Sequence, residues 1–229
     1  MDKPLIVCCF YWQGDRWEDD GRQQLYINRL YHMVSRHLTI PFKFICYTND
    51  YMHLVVGIDQ RKFDMPTKRG VLPRMYMFSE ESGLFGHQVL ALDLDIIIVG
   101  SLDEIASYQG PFASRSKFAP GQEWKLDGDV TSFSACKENA EKFWVPYRDD
   151  PAAVIKLTEG RERYWFRHIV GVEGGDRWNT MMPGQVVSYK RHCKTNGNQP
   201  PENARIVSCH GRPRPHEMEH LDWVRENWK

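Results

Sequence analysis

One segment, residues 89–99, constrains this chain more than any other. It is an almost unbroken apolar run that carries two carboxylates, Asp93 and Asp95. The run predicts a buried strand, and an ionised carboxylate in apolar surroundings is costly unless it is paired or binds a metal. Residues two apart on an extended chain point to the same side, so Asp93 and Asp95 can converge on one cation. Hard divalent cations such as Mg²⁺ and Mn²⁺ take oxygen ligands of this kind.

The rest of the chain alternates apolar stretches with amphipathic ones. Strands are predicted at 5–10, 42–47, 54–58, 89–92, 130–135 and 186–189, with 96–99 continuing the fourth. Helices are predicted at 21–37, 73–79, 138–145 and 222–228. This alternation predicts an α/β fold with a mostly parallel central sheet flanked by helices. Sheets of this type bind ligands at the carboxyl ends of their strands.

Charge and apolar content limit the partners of the chain. Lys and Arg total 30 and Asp and Glu total 30, whereas broad capture of nucleic acid favours a basic excess. No apolar run reaches the roughly 18–20 residues that span a bilayer, and the first residues carry no signal-peptide pattern. We therefore expect a cytoplasmic protein without a membrane span. The six cysteines form no CxxC pair, which favours free thiols in a reducing compartment.

Two enzyme classes place an Asp-x-Asp motif after an apolar strand: nucleotide-sugar glycosyltransferases and haloacid-dehalogenase-like phosphohydrolases. In the second class Asp93 would be a nucleophile near the start of its domain, with Thr or Val two residues after the second Asp. Here the motif follows several predicted strands, and Ile97 takes that position. The later acidic pair of such an enzyme could be Asp149 and Asp150, although a helix N-terminus explains the pair more simply. A structural cap at the strand end is a third interpretation.

Two segments resemble one known family. Residues 90–105 (Leu-Ala-Leu-Asp-Leu-Asp-Ile-Ile-Ile-Val-Gly-Ser-Leu-Asp-Glu-Ile) are similar to the Asp-x-Asp segment of GT-A glycosyltransferases, especially the glycogenin-like and bacterial galactosyltransferase-like family 8. Residues 206–216 (Ile-Val-Ser-Cys-His-Gly-Arg-Pro-Arg-Pro-His) resemble the terminal His-Gly-x-x-Lys-Pro-like motif of that family. The resemblance implies a single GT-A (Rossmann-like) domain over 1–229. Its nucleotide-binding half would be 1–100, and 101–229 would form the acceptor-side half with the C-terminal metal and diphosphate segment.

The resemblance also implies a metal centre. Mn²⁺ or Mg²⁺ would be held by Asp93, Asp95 and His210, and Arg214, helped by Arg212, would bind the donor diphosphate. Independent chemistry agrees, because the planar guanidinium fork suits phosphate oxygens. A histidine that simply ends a strand and a solvated basic turn are the structural alternatives for these residues.

Further donor contacts and one catalytic aspartate are implied by weaker parts of the resemblance. The donor contacts lie after the first two strands and before or within the Asp-x-Asp motif: Phe10, Tyr11, Thr48, Asn49, Lys68, Arg74 and Asp93. Residues 174–177 (Gly-Gly-Asp-Arg) resemble the Gly-Asp-Gln element of the family. Asp176 is therefore implied to orient the sugar or, in an inverting enzyme, to act as the base.

The function implied by the resemblance is metal-dependent transfer of a hexose from a nucleotide-diphosphate sugar, UDP-glucose or UDP-galactose, to an acceptor hydroxyl. A glycan or lipid-linked sugar is the favoured acceptor, and a modified nucleic acid is less favoured. Two alternatives are a haloacid-dehalogenase-like phosphohydrolase with Asp93 as its nucleophile and a non-catalytic module that binds nucleotide-sugars.

Overall fold

A seven-stranded mixed sheet forms the centre of the computed structural model, which describes residues 3–13, 21–123, 125–171 and 174–229. The strands are β1 (Leu5–Tyr11), β2 (Phe42–Thr48), β3 (Ile58–Arg61), β4 (Gln88–Leu92), β5 (Ile96–Ile98), β6 (Phe112–Ser116), β7 (Leu126–Ser134), β8 (Asp176–Arg177), β9 (Val186–Ser188) and β10 (Ile206–Ser208). The order across the large sheet is β3-β2-β1-β4-β7-β6-β8, and a smaller three-stranded sheet has the order β5-β10-β9.

Strand direction in the large sheet determines where its loops gather. The pairs β1–β2, β1–β4, β2–β3 and β6–β8 are parallel, whereas β7 runs antiparallel to both β4 and β6. Consequently β1, β2, β4 and β6 all end at one edge of the sheet, and β7 begins at that same edge. The predicted α/β fold with a mostly parallel sheet is confirmed, and this edge is where such sheets bind ligands.

Helices complete the layers around the sheet. They are α1 (Gln23–His37), α2 (Asp103–Ala106), α3 (Lys137–Asn139), α4 (Val145–Asp149), α5 (Pro151–Thr158), α6 (Glu162–Val170), α7 (Trp178–Met181) and α8 (Asp222–Asn227). Turns of 3₁₀ type span Leu72–Phe78 and Pro215–Met218, and turns of π type span Ala140–Trp144 and Tyr189–Cys193. Within the described ranges, no helix combines the length and apolarity needed to cross a membrane.

Strand β1 shows how the sheet is buried on both faces. Its alternate residues belong to two different apolar clusters, with Val7 and Cys9 in one and Ile6 and Cys8 in the other. Side chains alternate across a strand, so a strand covered on both faces is continuously apolar rather than amphipathic. All six cysteines are free, as predicted.

The smaller sheet corrects the predicted continuation of β4 through residues 96–99. The chain leaves the large sheet after Leu92, and β5 pairs instead with β10 in the second sheet. Leu94, between the two aspartates, is buried in the core. The apolar run therefore consists of two short strands in different sheets, and the Asp-x-Asp motif is the link between them.

Two further predictions about local structure were wrong, and others were incomplete. The strand predicted at 54–58 is wrong because Gly57 has a φ of 106° and turns the chain, so that the strand occupies Ile58–Arg61 instead. The helix predicted at 138–145 is interrupted by a π-type turn. Strands β6, β8 and β10 and helices α5, α6 and α7 were not predicted. Asp150 does begin a helix, because its carboxylate accepts a hydrogen bond from Ala153 N at 2.9 Å.

Candidate functional site

A cavity of about 710 Å³ opens at the edge where β1, β4 and β6 end and β7 begins. Its volume lies within the range of about 300–1,000 Å³ that is common for small-molecule sites. The cavity is lined by acidic, basic and aromatic residues from these strand ends together with apolar ones: Phe10, Trp12, Val71, Arg74, Asp93, Leu94, Asp95, Arg115, Lys117, Phe118, Ala119, Asp127, Gly128, Asp129, Arg161, Glu162, Arg163, Arg191, Ser208, His210, Gly211 and Arg214.

Strand pairing brings His210 to the Asp-x-Asp motif across more than 100 positions of sequence. β10 lies antiparallel to β5, with Ser208 opposite Ile96. The end of β10 therefore lies beside the start of β5, and Cys209 N donates to the carbonyl oxygen of Asp95 at 3.0 Å. His210 follows directly, and it lines the same cavity as both aspartates. The predicted association of the two segments is present in the fold.

Arg74 holds the first aspartate of the motif. Its Nη1 lies 2.5 Å from Asp93 Oδ1 and 3.3 Å from Glu162 Oε2, while its Nη2 donates to Gly128 O at 2.7 Å. The Arg74 side chain is 5% exposed. A buried guanidinium between two carboxylates fixes their positions. Arg74, predicted to bind the donor, therefore acts in the cavity wall as an ion-pair partner of Asp93.

A second buried arginine organises the start of β7. Arg115 Nε and Nη2 contact both oxygens of Asp129 at 2.8–3.0 Å, and Nη2 lies 3.1 Å from Asp127 Oδ2. Ser208 Oγ donates to Asp129 Oδ2 at 2.5 Å. Burial raises the pKa of Asp129, but the Arg115 guanidinium and the Ser208 hydroxyl outweigh it and hold the pKa below its usual value. Asp129 is thus an ionised carboxylate that ties β6, β7 and β10 together.

Sequence reasoning missed Arg115, Asp127, Asp129 and Glu162, although a signal was present for two of them. Residues 126–130 read Leu-Asp-Gly-Asp-Val, a second Asp-x-Asp beside an apolar strand. Asp93 N donates to Asp129 O at 2.9 Å, so the two motifs lie side by side. Arg115 and Glu162 carried no comparable pattern, because their positions depend on the pairing of β6 with β7 and on the packing of α6.

The negative charge of the two aspartates in the Asp-x-Asp motif is only partly neutralised by the groups around them. Burial and, after it, the neighbouring Asp129 carboxylate raise the pKa of Asp95 to about 6. Burial also raises the pKa of Asp93, assisted by Asp95 and opposed by Arg74. Raised carboxylate pKa values indicate a site where additional positive charge would be favourable.

The side chains of Asp93, Asp95 and His210 are of the chemical types that bind divalent cations. Across residues 3–13, 21–123, 125–171 and 174–229, no three His, Cys, Asp or Glu side chains are grouped closely enough to hold a metal ion by themselves. Mg²⁺, however, is commonly held by one or two carboxylates together with substrate phosphates. Asp93 and Asp95 supply such carboxylates. His210 is kept neutral, the form that ligates metals, because partial burial and then the Arg115 guanidinium lower its pKa. Its Nε2 lies 2.8 Å from Ser188 Oγ.

The predicted donor-binding residues divide into two groups. Phe10, Arg74, Asp93 and Arg214 line the cavity together with the predicted metal ligands. The cavity lining does not include the others: Tyr11 and Thr48 are buried, and Asn49, Lys68 and Arg212 lie outside it. Tyr11 belongs to the apolar core on the helix α1 side of the sheet, and exposed Arg212 pairs with Glu217.

Asp176 lies on β8, the outermost strand of the large sheet on the β6 side. Strand β8 pairs with β6, with Asp176 opposite Ala113, and the carboxylate accepts a hydrogen bond from Tyr108 Oη at 2.8 Å. The residue is exposed and is absent from the cavity lining. The structure does not bring the predicted catalytic acid together with the Asp-x-Asp motif. Among the residues that the structure describes, the cavity carboxylates other than that motif are Asp127, Asp129 and Glu162.

Comparisons with known proteins place this architecture. No protein-family model and no curated protein sequence matches the chain. The glycosyltransferase GlyE of Streptococcus pneumoniae TIGR4 superimposes with a TM-score of 0.64 at 16% identity, over 99% of this chain and 63% of GlyE. The bifunctional glycosyltransferase WbbM gives 0.64 at 9% identity, over 99% of this chain and 51% of WbbM. An active-site mutant of LgtC gives 0.63 at 11%, over 96% of this chain and 93% of LgtC. The predicted GT-A fold is confirmed.

Proposed function

We propose that the chain is a glycosyltransferase that moves a hexose from a nucleotide-diphosphate sugar, UDP-glucose or UDP-galactose, to an acceptor hydroxyl. One observation carries the proposal. Asp93, Asp95, His210 and Arg214, which come from two distant segments, line one cavity at the strand ends of a GT-A fold. Carboxylates short of positive charge beside an arginine suit a cation and a diphosphate bound together.

Different residues of the cavity would bind different parts of the donor. Asp93 and Asp95 would hold Mn²⁺ or Mg²⁺ together with the donor diphosphate, and the bound cation would supply charge neutralisation for that diphosphate. His210 is not grouped with the two aspartates closely enough to share an ion in the unliganded protein, so it would become the third protein ligand only by moving toward them. Arg214 binds the diphosphate oxygens and stabilises them as the bond to the anomeric carbon breaks. The acceptor oxygen then bonds to that carbon through an oxocarbenium-like state such as that of glycoside hydrolysis, and its proton passes to the departing diphosphate oxygen.

The base of the nucleotide fits the ends of β1 and β2. Phe10 lines the cavity and stacks on Tyr47 with ring centroids 4.9 Å apart. Directly after β2, Asn49 Oδ1 is buried and has no hydrogen-bond partner among the described residues. An unpaired buried acceptor is costly, but Asn49 lies outside the cavity lining, so it does not select the base. The choice of a uridine nucleotide rests on the resemblance of residues 90–105 and 206–216 to family 8 glycosyltransferases.

The phosphohydrolase alternative has little support in the structure. Its later acidic pair would have to reach Asp93, but Asp150 caps α5, and neither Asp149 nor Asp150 lines the cavity. Asp93 itself is held in an ion pair with Arg74, which restrains it from acting as a nucleophile.

Ligand-induced stabilisation tests the proposed donor site. With Mn²⁺ present, we expect UDP and UDP-hexoses to raise the melting temperature more than adenosine or guanosine diphosphates, because a ligand of the folded state adds RT ln(1 + [L]/Kd) to its stability. At 100 times Kd the gain is about 2.7 kcal/mol. Differential scanning fluorimetry of the panel, with and without Mn²⁺, makes the comparison.

No stabilisation by any nucleoside diphosphate, or an equal effect with and without the cation, would contradict the proposed donor site. Release of inorganic phosphate from p-nitrophenyl phosphate, without any response to UDP-hexoses, would favour the phosphohydrolase instead.

A further inference from the structure

Around the end of β6, the cavity wall carries more positive charge than its carboxylates neutralise. Four cavity-lining cations, which we call the basic rim, come from three separate segments: Lys117 after β6, Arg161 and Arg163 at the start of α6, and Arg191 after β9. The whole chain is balanced at 30 basic and 30 acidic residues. The rim is therefore a local concentration of charge, and such concentrations attract anionic ligands.

Contacts behind the basic rim join its segments into one surface. The guanidinium of Arg115 stacks over the Phe118 ring at 4.2 Å, and that ring meets His192 edge-on at 4.9 Å. Arg191 is the neighbour of His192. On the other side, Arg163 Nε lies 3.5 Å from Asp127, which also binds Arg115. The three segments are thus held together by buried Arg115 and its partners.

Two of the rim cations, Lys117 and Arg161, are poorly neutralised by their partners. Lys117 Nζ donates to the neutral amide oxygen of Gln122 at 2.8 Å, and Lys125 Nζ donates to that same oxygen at 3.1 Å. Two ammonium groups on one neutral acceptor repel each other. Arg161 lies 3.3 Å from Glu159, but both side chains are largely in solvent, at 43% and 68% exposure. Exposed pairs of this kind contribute little, so an anion gains by binding here.

Sheet order separates Lys117, the rim cation that follows β6, from the proposed donor site. Phe10 ends β1 and the Asp-x-Asp motif ends β4, whereas Lys117 follows β6, and the order across the sheet is β1-β4-β7-β6. Neighbouring strands lie about 4.8 Å apart, so Lys117 is roughly 10 Å from the Asp-x-Asp motif and roughly 14 Å from the nucleoside end. A diphosphate bound by the cation at Asp93 and by Arg214 would leave Lys117 to the other substrate.

We propose that the basic rim binds a phosphate group of the acceptor, so that the sugar is transferred to a hydroxyl of a phosphate-bearing sugar. This inference rests on the proposed glycosyltransferase function. Arginine forks match phosphate oxygens in pairs, and three of the four rim cations are arginines. The phosphate could belong to a soluble sugar phosphate or to a lipid headgroup, since both present the same group to the rim.

Calorimetric titration of the protein saturated with UDP and Mn²⁺ tests the inference, because the donor site is then filled. We expect glucose 6-phosphate to bind at least about tenfold more tightly than glucose, which corresponds to one charge-assisted hydrogen bond. The double variant Arg161→Gln/Arg191→Gln should lose most of this preference while its affinity for UDP stays within about twofold of the wild type. Vesicles of anionic phosphatidylglycerol and of zwitterionic phosphatidylcholine distinguish the sources, since binding to the first alone, lost in the double variant, would identify the phosphate of an anionic lipid headgroup.

A matched control removes the same charge elsewhere. Arg148→Gln/Arg225→Gln deletes two exposed guanidiniums outside the cavity, so it should retain the full preference for glucose 6-phosphate. Equal loss in both double variants, equal binding of glucose and glucose 6-phosphate, or a fall in UDP affinity in the rim variant would overturn the inference. Tighter binding of a single-stranded oligonucleotide than of glucose 6-phosphate would also overturn it.

Failure of this inference is distinguishable from failure of the proposed function. UDP that binds normally, with no preference among acceptor probes, overturns the phosphate site alone. A glucose 6-phosphate preference that depends on the basic rim, in a protein that does not bind UDP, supports the phosphate site and overturns the proposed donor.

Discussion

Asp95→Asn is expected to reduce metal-dependent turnover of the UDP-hexose donor by on the order of 100-fold or more, because a metal clamp supplies several kcal/mol to the transition state and each 1.4 kcal/mol is tenfold in rate. The fold should be retained or stabilised. Burial and Asp129 disfavour the charged form of Asp95 and raise its pKa, so a neutral amide of the same shape relieves repulsion in the unliganded protein. UDP release in the presence of Mn²⁺, together with the melting temperature, measures both effects.

The matched control is Asp149→Asn, the same chemical change at an exposed residue outside the cavity. It should leave turnover and melting temperature unchanged. Wild-type turnover in Asp95→Asn would contradict a role of the metal in the reaction. A large fall in its melting temperature would show that Asp95 is a structural cap.

Arg115→Met is expected to have the largest effect on stability. Arg115 is 2% exposed and contacts both Asp129 and Asp127. Removing it leaves the Asp129 carboxylate buried without its counter-ion, which costs about 3–5 kcal/mol. For a chain of this size that corresponds to a fall in Tm of roughly 10 °C. Urea unfolding followed by circular dichroism measures the change in the free energy of unfolding.

Two further variants separate charge burial from loss of volume. In the double variant Arg115→Met/Asp129→Leu no charge is stranded at this pair, so most of the lost stability should return, as when a buried ion pair is replaced by apolar side chains. Arg148→Met breaks the exposed pair with Asp149 and should leave the unfolding midpoint unchanged. A double variant no more stable than Arg115→Met would show that packing, rather than charge, makes Arg115 necessary.

The strand pattern and the Asp-x-Asp motif could be predicted from local sequence because each is a property of a few consecutive residues. The apolar residues of β1, β2 and β4 fill both faces of the sheet and therefore read as nearly continuous runs. The change of sheet at residues 93–95 could not be predicted this way, since an apolar run looks the same whether its two strands lie in one sheet or two.

The candidate site could be predicted only where a motif marked it. His210 was found through the resemblance of residues 206–216, and pairing of β10 with β5 explains why it reaches the Asp-x-Asp motif. Arg115 has no motif, because its position depends on β7 folding back between β4 and β6. Asp176 was chosen from a short element of the resemblance, and strand β8 places it on the edge of the sheet, bound to Tyr108.

The most direct measurement is donor turnover by the purified wild-type protein with UDP-glucose and UDP-galactose, in Mn²⁺ and after removal of divalent cations with EDTA. We predict UDP release in Mn²⁺ with at least one of the two donors, its loss in EDTA, and its recovery when Mn²⁺ is returned in excess. Tight binding of UDP without release of UDP from either donor, across glycan and sugar-phosphate acceptors, would contradict the account and identify a binding module. Release that is unaffected by EDTA would contradict the role of Asp93 and Asp95 as metal ligands.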